Sequence, residues 1–288
     1  MKELSNIKNL KSQAMDNILV AVDFSSTSKN AVGYAANLAD YFGAKLTLFH
    51  AYHVSGLGFD AGYIPPIEDM TTGIEEEMKK FEGWLKYTYP DITVDHCIEM
   101  GLAADTIESV ANEKQADLIV VGLSGQNDAI KEHVFGSIAA RVAETSKIPV
   151  LVIPEHVRYS PIKKIAYACD LDKHLETNDC LMKVKYFCSL FDAELQVLNV
   201  IKPEEEMSME KANTDSYLEE KFYTTKHDTF FIYDEKVDKG LVQFLDHHES
   251  DLLITCPKTH NFFHDLFIES NTKKLVFHSP VPILTLHE

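Results

Sequence analysis

The 288-residue sequence has no long hydrophobic run and few basic residues for its size. No stretch approaches the roughly 18 apolar residues that a membrane-spanning helix needs, and Met1–Ala14 has no apolar core of the kind that a secretory signal carries. Lys and Arg number 27 against 45 Asp and Glu, which gives a formal net charge of −18. Such a charge disfavours general binding to nucleic-acid backbones or anionic lipid. We therefore expect a cytoplasmic protein that binds neither nucleic acid nor membrane.

Motifs of familiar enzymes are also missing. The sequence has no Gly-Lys-Ser/Thr P-loop, no Gly-x-Ser-x-Gly elbow and no His-Glu-x-x-His. This predicts a protein without catalytic residues. The five cysteines are scattered and form no Cys-x-x-Cys pair, which predicts reduced and mostly buried thiols in a reducing compartment. They are Cys97, Cys169, Cys180, Cys188 and Cys256.

What the sequence does contain is an internal duplication. Four apolar segments of the first half recur in the second half in the same order, with similar spacing and chemistry. The pairs are Asn17–Asp23 with Lys164–Asp170, Ala44–His50 with Ala193–Asn199, Ala116–Gly122 with Ser250–Cys256, and Ile148–Ile153 with Val281–Leu286.

The segments between these apolar runs have helical periodicity. After Asp23, Ser25–Ser28 offers N-cap residues, an Ala-rich apolar face follows, and Gly43 supplies a stop. Short apolar strands that alternate with amphipathic helices predict parallel sheets covered by helices on both faces. We therefore expect an α/β protein of two tandem doubly wound domains, each with about five strands. The predicted domains are residues 1–156 and 157–288, joined by a short linker between Pro154 and Pro161.

A glycine pattern follows the fourth predicted strand of the first half. The strand ends in Gly122-Leu-Ser-Gly125, and after ten more residues Gly136-Ser137 begins a helical pattern. Turns with exposed amides, one of them at a helix start, suit an anion such as a triphosphate, because the amides and the helix dipole both favour negative charge. The alternative is that these glycines only turn the chain.

The predicted topology would bring Asp23 close to these glycines. In doubly wound sheets a ligand binds at the carboxyl ends of the strands, where the strand order reverses. Asp23 closes the first strand segment and Gly122 closes the fourth. If those strands are neighbours, one crevice is surrounded by Asp23, Gly122, Gly125 and Gly136. Asp23 has a second possible role as the cap of the helix that follows it.

Together, the strand ending in Asp, the Gly-x-x-Gly and Gly-Ser motifs and the Pro-Val-Leu-Val strand resemble the universal stress protein family in its tandem form. The resemblance covers the chain from Met15 onward. It implies a stress-response protein. In this family the nucleotide-binding members carry Gly-x2-Gly-x9-Gly-Ser/Thr. Here the second gap holds ten residues, one more than that pattern.

The resemblance also implies roles for individual residues. Asp23 and the backbone of Ala21 and Val22 would meet the adenosine end of ATP or a related nucleotide, with or without Mg²⁺. Gly122 and Gly125 would approach the ribose and phosphates, and Gly136 and Ser137 would hold the phosphates; Ser137 has an equal claim to be a helix cap. The resemblance further implies that the strands at Val150–Ile153 and Ile283–Leu286 pair. The two domains would then form an intramolecular pseudo-dimer, and a homodimer is possible.

The second half lacks these glycine motifs. Cys256-Pro257-Lys258-Thr259 replaces the Gly-x-x-Gly turn, and Ile268-Glu269-Ser270 stands where Gly-Ser would be. Proline removes an amide donor, and Glu269 would repel phosphate. We expect no nucleotide in this half. His260 and His264 have the spacing of a zinc-binding pair on a helix, but no third ligand completes the site, so we expect no metal.

Several functions stay open on the sequence alone. We expect binding of an adenine nucleotide in the first half. The alternatives are a nucleotide-free interaction or scaffold protein, a slow ATPase assisted by Mg²⁺, and a non-nucleotide or metal ligand in the second half. A long turn-rich segment, Tyr52–Gly73, is expected to form a loop over a ligand or partner surface, or a plain surface loop.

Overall fold

The computed structural model describes residues 15–53, 67–123, 132–169, 178–201, 218–256 and 279–287. In chain order the elements are β1 (Asn17–Ala21), α1 (Ser26–Phe42), β2 (Lys45–Tyr52), α2 (Ile67–Thr88), β3 (Val94–Met100), α3 (Ala103–Glu113), β4 (Leu118–Leu123), α4 (Glu132–Thr145), β5 (Val150–Pro154), β6 (Lys164–Ala168), α5 (Asn178–Phe191), β7 (Glu194–Ile201), β8 (His227–Tyr233), α6 (Val237–His247), β9 (Leu252–Thr255) and β10 (Ile283–Thr285).

The chain divides into two compact units, Met1–Gly122 and Leu123–Glu288. The first unit contains a parallel sheet in the order β3-β2-β1-β4. The second unit contains the same parallel order as β8-β7-β6-β9, extended by β10 and β5. The protein is therefore an α/β protein with tandem doubly wound parallel sheets, as the sequence predicts. The domain boundary at residue 156 stays a prediction.

The first helix shows how the sequence specifies an element. Ser25 is the N-cap, and its Oγ accepts a hydrogen bond from the Ser28 amide at 3.1 Å. Ala31, Ala35 and Leu38 lie on the buried face, where the two alanines are small and Leu38 supplies a large apolar side chain to the core. Gly43 ends the helix with a φ of 70°, a left-handed conformation that glycine adopts without a steric cost. The predicted caps are thus confirmed.

The two repeats share hydrogen bonds as well as strand order. Oδ2 of Asp117 accepts from the amides that start β1, at 2.8 and 2.9 Å. Oδ2 of Asp251 accepts from the amides of Lys163 and Lys164 at the same two distances, at the start of β6. A duplicated sequence has therefore kept the bonds that fix one strand against the next.

The paired edge predicted for the two repeats is also present in the second unit. β5 and β10 are antiparallel neighbours, with Leu151 opposite Leu284 and Val150 opposite Thr285. All residues of β5 are buried. The expectation that Val150–Ile153 and Ile283–Leu286 meet is confirmed.

Other expectations were wrong in detail. The segment predicted to be a loop through Gly73 is already helical from Ile67, because Met78, Phe81 and Leu85 give α2 a buried apolar face; residues 54–66 lie outside the described residues. The helix predicted to begin at Gly136 begins at Glu132. Among the described residues, no helix is long and apolar enough to cross a membrane.

Candidate functional site

The candidate site lies at the carboxyl edge of β1 and β4. These strands are parallel neighbours, with Val20 opposite Val120, and β2 flanks the other side of β1. The strand order therefore reverses between β1 and β4, and the condition that these two strands are neighbours is met. Asp23 follows β1 at the same edge at which Gly122, the second-last residue of β4, lies, and this edge is where doubly wound sheets bind ligands.

The turn after β1 holds the carboxylate of Asp23 in a fixed place. Oδ1 accepts hydrogen bonds from the amide and the hydroxyl of Ser25, at 3.0 and 2.6 Å. Ser25 in turn caps α1. Asp23 therefore acts on the helix start through Ser25 and is not itself the N-cap. Among the described residues, no group donates a hydrogen bond to Oδ2 of Asp23, and the residue is partly exposed.

Phe24 shapes this turn and was not singled out from the sequence. Its φ is 65°, a left-handed conformation that is rare for a bulky side chain and costs about 1–3 kcal/mol. Its ring lies 4.8 Å from that of His50 and 5.9 Å from that of Phe81, measured between centroids. These contacts hold a strained residue directly beside Asp23. The sequence gives no signal for it, because a left-handed Phe has no characteristic pattern.

The backbone of Val22 is already engaged within the protein. Its amide donates to the Phe49 carbonyl at 2.7 Å, and its carbonyl lies 2.7 Å from Nδ1 of His50. Since a carbonyl only accepts, Nδ1 of His50 carries the proton in this contact. The Asp23 amide likewise donates to Ser28 Oγ at 3.3 Å. These two backbone amides therefore already have partners within the protein.

Gly122 lies against the start of α1. A Cβ atom built on Gly122 would lie 2.9 Å from the Thr27 carbonyl oxygen and 3.0 Å from Thr27 Cγ2. Only glycine lets β4 and α1 approach so closely. Gly122 thus has a packing role at this edge of the sheet.

Gly136 and Ser137, the predicted phosphate-binding residues, lie beyond the first turn of α4. Gly136 and Ser137 are the fifth and sixth residues of α4, which begins at Glu132. Only the first four amides of a helix lack a partner within it, so these two amides lie past the anion-binding end. Gly125 lies outside the described residues. The proposed contacts of these residues to phosphate stay predictions.

The second repeat differs at the equivalent edge. Cys256, which aligns with Gly122, is bonded through its sulfur to Cys180 in the first turn of α5. The expectation that all five cysteines are reduced thiols is therefore wrong: two residues 76 positions apart in sequence are brought together by the fold. Asp170, His260, His264, Lys258, Glu269 and Ser270 lie outside the described residues.

Comparisons with known proteins agree with this fold. The model of the universal stress protein family matches residues 15–154. The universal stress protein YxiE of Bacillus subtilis (strain 168) is 31% identical over 148 residues, which cover 47% of this chain and 97% of YxiE. This chain belongs to the universal stress protein family. YxiE is about as long as one repeat, so one repeat of this family can form a whole protein.

Two further universal stress proteins extend the comparison. One from Mycolicibacterium smegmatis is 31% identical over 141 residues, 47% of this chain and 45% of that protein, so the chain matches less than half of its length. The crystal structure of one from Archaeoglobus fulgidus DSM 4304 matches with a TM-score of 0.71 and 14% identity, covering 95% of this chain and 96% of the other. The universal stress protein fold therefore extends over both repeats.

Proposed function

We propose that this universal stress protein binds an adenine nucleotide, ATP or AMP, at the carboxyl edge of β1 and β4. The observation that carries the proposal is the Asp23 carboxylate. One of its oxygens is fixed by Ser25, and the other faces no donor among the described residues. A fixed acceptor next to a strand end without a side chain suits the hydroxyls of ribose or the amino group of adenine.

The residues present fit the adenosine end of such a ligand better than its phosphates. Among the described residues, no group of three His, Cys, Asp or Glu side chains can hold a metal ion. Mg²⁺ would therefore enter with the phosphates of ATP. We assign no catalytic residue, and binding is the role that follows.

Equilibrium dialysis of the full chain with labelled ATP and Mg²⁺ tests the proposal. We expect saturable uptake, and we expect Asp23→Ala to weaken it by about tenfold or more, because a hydrogen bond to a charged group contributes about 1.5–3 kcal/mol. Ser25→Ala is the comparison variant: it removes the hydroxyl, one of the two donors to Oδ1, keeps the amide donor and the carboxylate, and should weaken uptake less than Asp23→Ala does. No saturable uptake at millimolar ATP would refute the proposal.

A measurement of phosphate release from the same preparation distinguishes ATP binding from ATP hydrolysis. If phosphate release accompanies binding, Gly136→Trp should abolish it, because a large side chain would fill the predicted phosphate region. Turnover that survives this substitution comes from another site or from a contaminant.

A second function is a nucleotide-free interaction protein of the same fold. The position of Gly136 favours this function. The α4 amides without a partner inside the helix are those of residues 132–135, and Gly136 comes after them. Absence of saturable nucleotide uptake from both wild type and Asp23→Ala would favour this function, whereas equal uptake by the two proteins would place nucleotide at a site that does not involve Asp23.

A further inference from the structure

The first observation concerns the disulfide between Cys180 and Cys256. Their Cα atoms are 6.4 Å apart, within the range that a disulfide spans. Cys180 belongs to the first turn of α5 and is 1% exposed, whereas Cys256 follows β9 and is partly exposed. The two bonded cysteines therefore differ in exposure, and Cys256 is the one nearer to solvent.

The disulfide spans the ligand edge of the second repeat. β6 and β9 are parallel neighbours, with Ala168 opposite Thr255, and the strand order reverses between them. The chain leaves β6 toward α5, so the link from Cys180 to Cys256 crosses the carboxyl edge of this pair. In the first repeat, the same junction is the non-covalent approach of Gly122 to Thr27. A covalent bond thus replaces a packing contact at the equivalent place.

The other three cysteines are less suited to thiol–disulfide exchange. Burial raises the pKa of the Cys188 thiol to about 12, and burial also raises the pKa of Cys97. Cys169 is buried, and its Sγ donates to the Leu198 carbonyl at 3.4 Å. Since the thiolate is the reactive form, a raised pKa disfavours reaction at Cys97 and Cys188, whereas Cys180 and Cys256 lie close enough to be bonded to each other.

We propose that Cys180 and Cys256 form a reversible thiol-oxidation site that closes the ligand edge of the second repeat in response to small disulfides of the oxidised-glutathione type. The Cys256 thiolate attacks one sulfur of the small disulfide, and a small thiolate leaves. The Cys180 thiolate then attacks the Cys256 sulfur, and the second small thiolate leaves. The protein gives up two electrons and two thiol protons, and the small disulfide becomes two thiols. Excess small thiol reverses both steps.

Intact-mass measurement of the folded chain tests this site. The protein is equilibrated in glutathione buffers from reducing to oxidising, quenched in acid, unfolded and alkylated. Since the chain has five cysteines, we expect conversion between a form with five alkylated thiols and a form with three. Peptide mapping should assign the lost pair to Cys180 and Cys256. Cys180→Ser and Cys256→Ser should each abolish the conversion, and Cys97→Ser, the matched control at a partly exposed thiol, should keep it.

If a variant fails to fold, measurements on the wild-type protein still test the proposal. Its melting temperature should be higher in oxidising than in reducing buffer by about 5–10 °C, as expected for a cross-link that closes a long loop. Five alkylated thiols at every ratio, a different pair, or a bond that the native protein retains in excess reduced glutathione would each overturn the proposal. The last result would make the bond a permanent structural cross-link.

Discussion

Gly122 is a residue at which close packing requires glycine. A methyl group at this position would contact the Thr27 backbone at 2.9 Å, and backbone cannot move aside as a flexible side chain can. We predict that Gly122→Ala destabilises the protein by about 1–3 kcal/mol, measured as a lower urea midpoint with an unchanged slope.

Gly83 provides the control for this prediction. It is exposed on α2, and a Cβ there would meet nothing within 4 Å. Gly83→Ala should therefore stabilise the protein by about 0.5–1 kcal/mol, because alanine loses less backbone entropy in a helix. If both substitutions change stability equally, the close approach of β4 to α1 does not constrain residue 122.

At the scale of elements, an imidazole joins α2 to the edge of β3. Nδ1 of His96 lies 2.5 Å from Glu82 Oε1, and Nε2 lies 3.0 Å from Glu75 Oε2. Burial lowers the pKa of His96, but hydrogen bonds to the two carboxylates outweigh it, and the net pKa is raised. Burial raises the pKa of Glu82, but its bonds to His96 and Lys86 outweigh this, and the net pKa is lowered. Both shifts favour the charged pair.

The pH dependence of stability follows from these directions. A raised folded pKa means that His96 stabilises fully below its ordinary value of 6.5 and loses this stabilisation as the pH rises through the folded pKa. Glu82 contributes above its ordinary value of 4.5 and less as the pH falls. We therefore predict that His96→Gln lowers the free energy of unfolding most between about pH 5 and 6.5, by about 1 kcal/mol or less, and least above pH 8.

Urea unfolding of wild type and His96→Gln from pH 5 to 9 measures this difference. Lys80→Gln is the control, because the Lys80–Glu77 pair lies on the same helix and Lys80 stays charged across this range. A difference between wild type and His96→Gln that does not change with pH would contradict the assignment of an imidazolium to this pair.

The elements also show what the sequence could and could not predict. Apolar runs such as Asn17–Ala21, and caps such as Ser25 and Gly43, depend on neighbours in the sequence, so strands, α1 and the duplication were predictable. The α4 start at Glu132 was missed because glycine at 136 resembles a helix start, although a helix can tolerate it. Contacts between distant residues, including those of Phe24 with His50 and the disulfide of Cys180, depend on the completed fold.

At the scale of the whole molecule, the duplication has kept structural bonds and changed the ligand edge. Asp117 and Asp251 hold equivalent strands with equivalent hydrogen bonds, whereas Gly122 in the first repeat corresponds to Cys256 in the second. The two repeats therefore share these structural hydrogen bonds and differ in sequence at the carboxyl edges of their sheets. A nucleotide site in one repeat and a thiol-oxidation site in the other are consistent with this difference.

The pairing of β5 with β10 makes a prediction for separated repeats. Every residue of β5 is buried, and Leu151 lies opposite Leu284 in the second unit. A 1–156 fragment would lose β10 and expose an apolar strand edge, which readily pairs with another strand. Because YxiE is about as long as one repeat, such a fragment has a natural counterpart. We predict that it folds and forms a homodimer through β5, seen by sedimentation as a concentration-dependent doubling of mass.

Addition of a 157–288 fragment is the control that identifies the surface involved. This fragment supplies β10, so we expect it to replace the homodimer with a 1:1 complex. A folded 1–156 fragment that stays monomeric at high concentration would show that β5 does not need a partner strand. A homodimer that persists with excess 157–288 fragment would place the contact on another surface. Replacement by a 1:1 complex would instead support the pseudo-dimer expected from the sequence, in which one chain supplies both strands of a pair that a single repeat must obtain from a second copy.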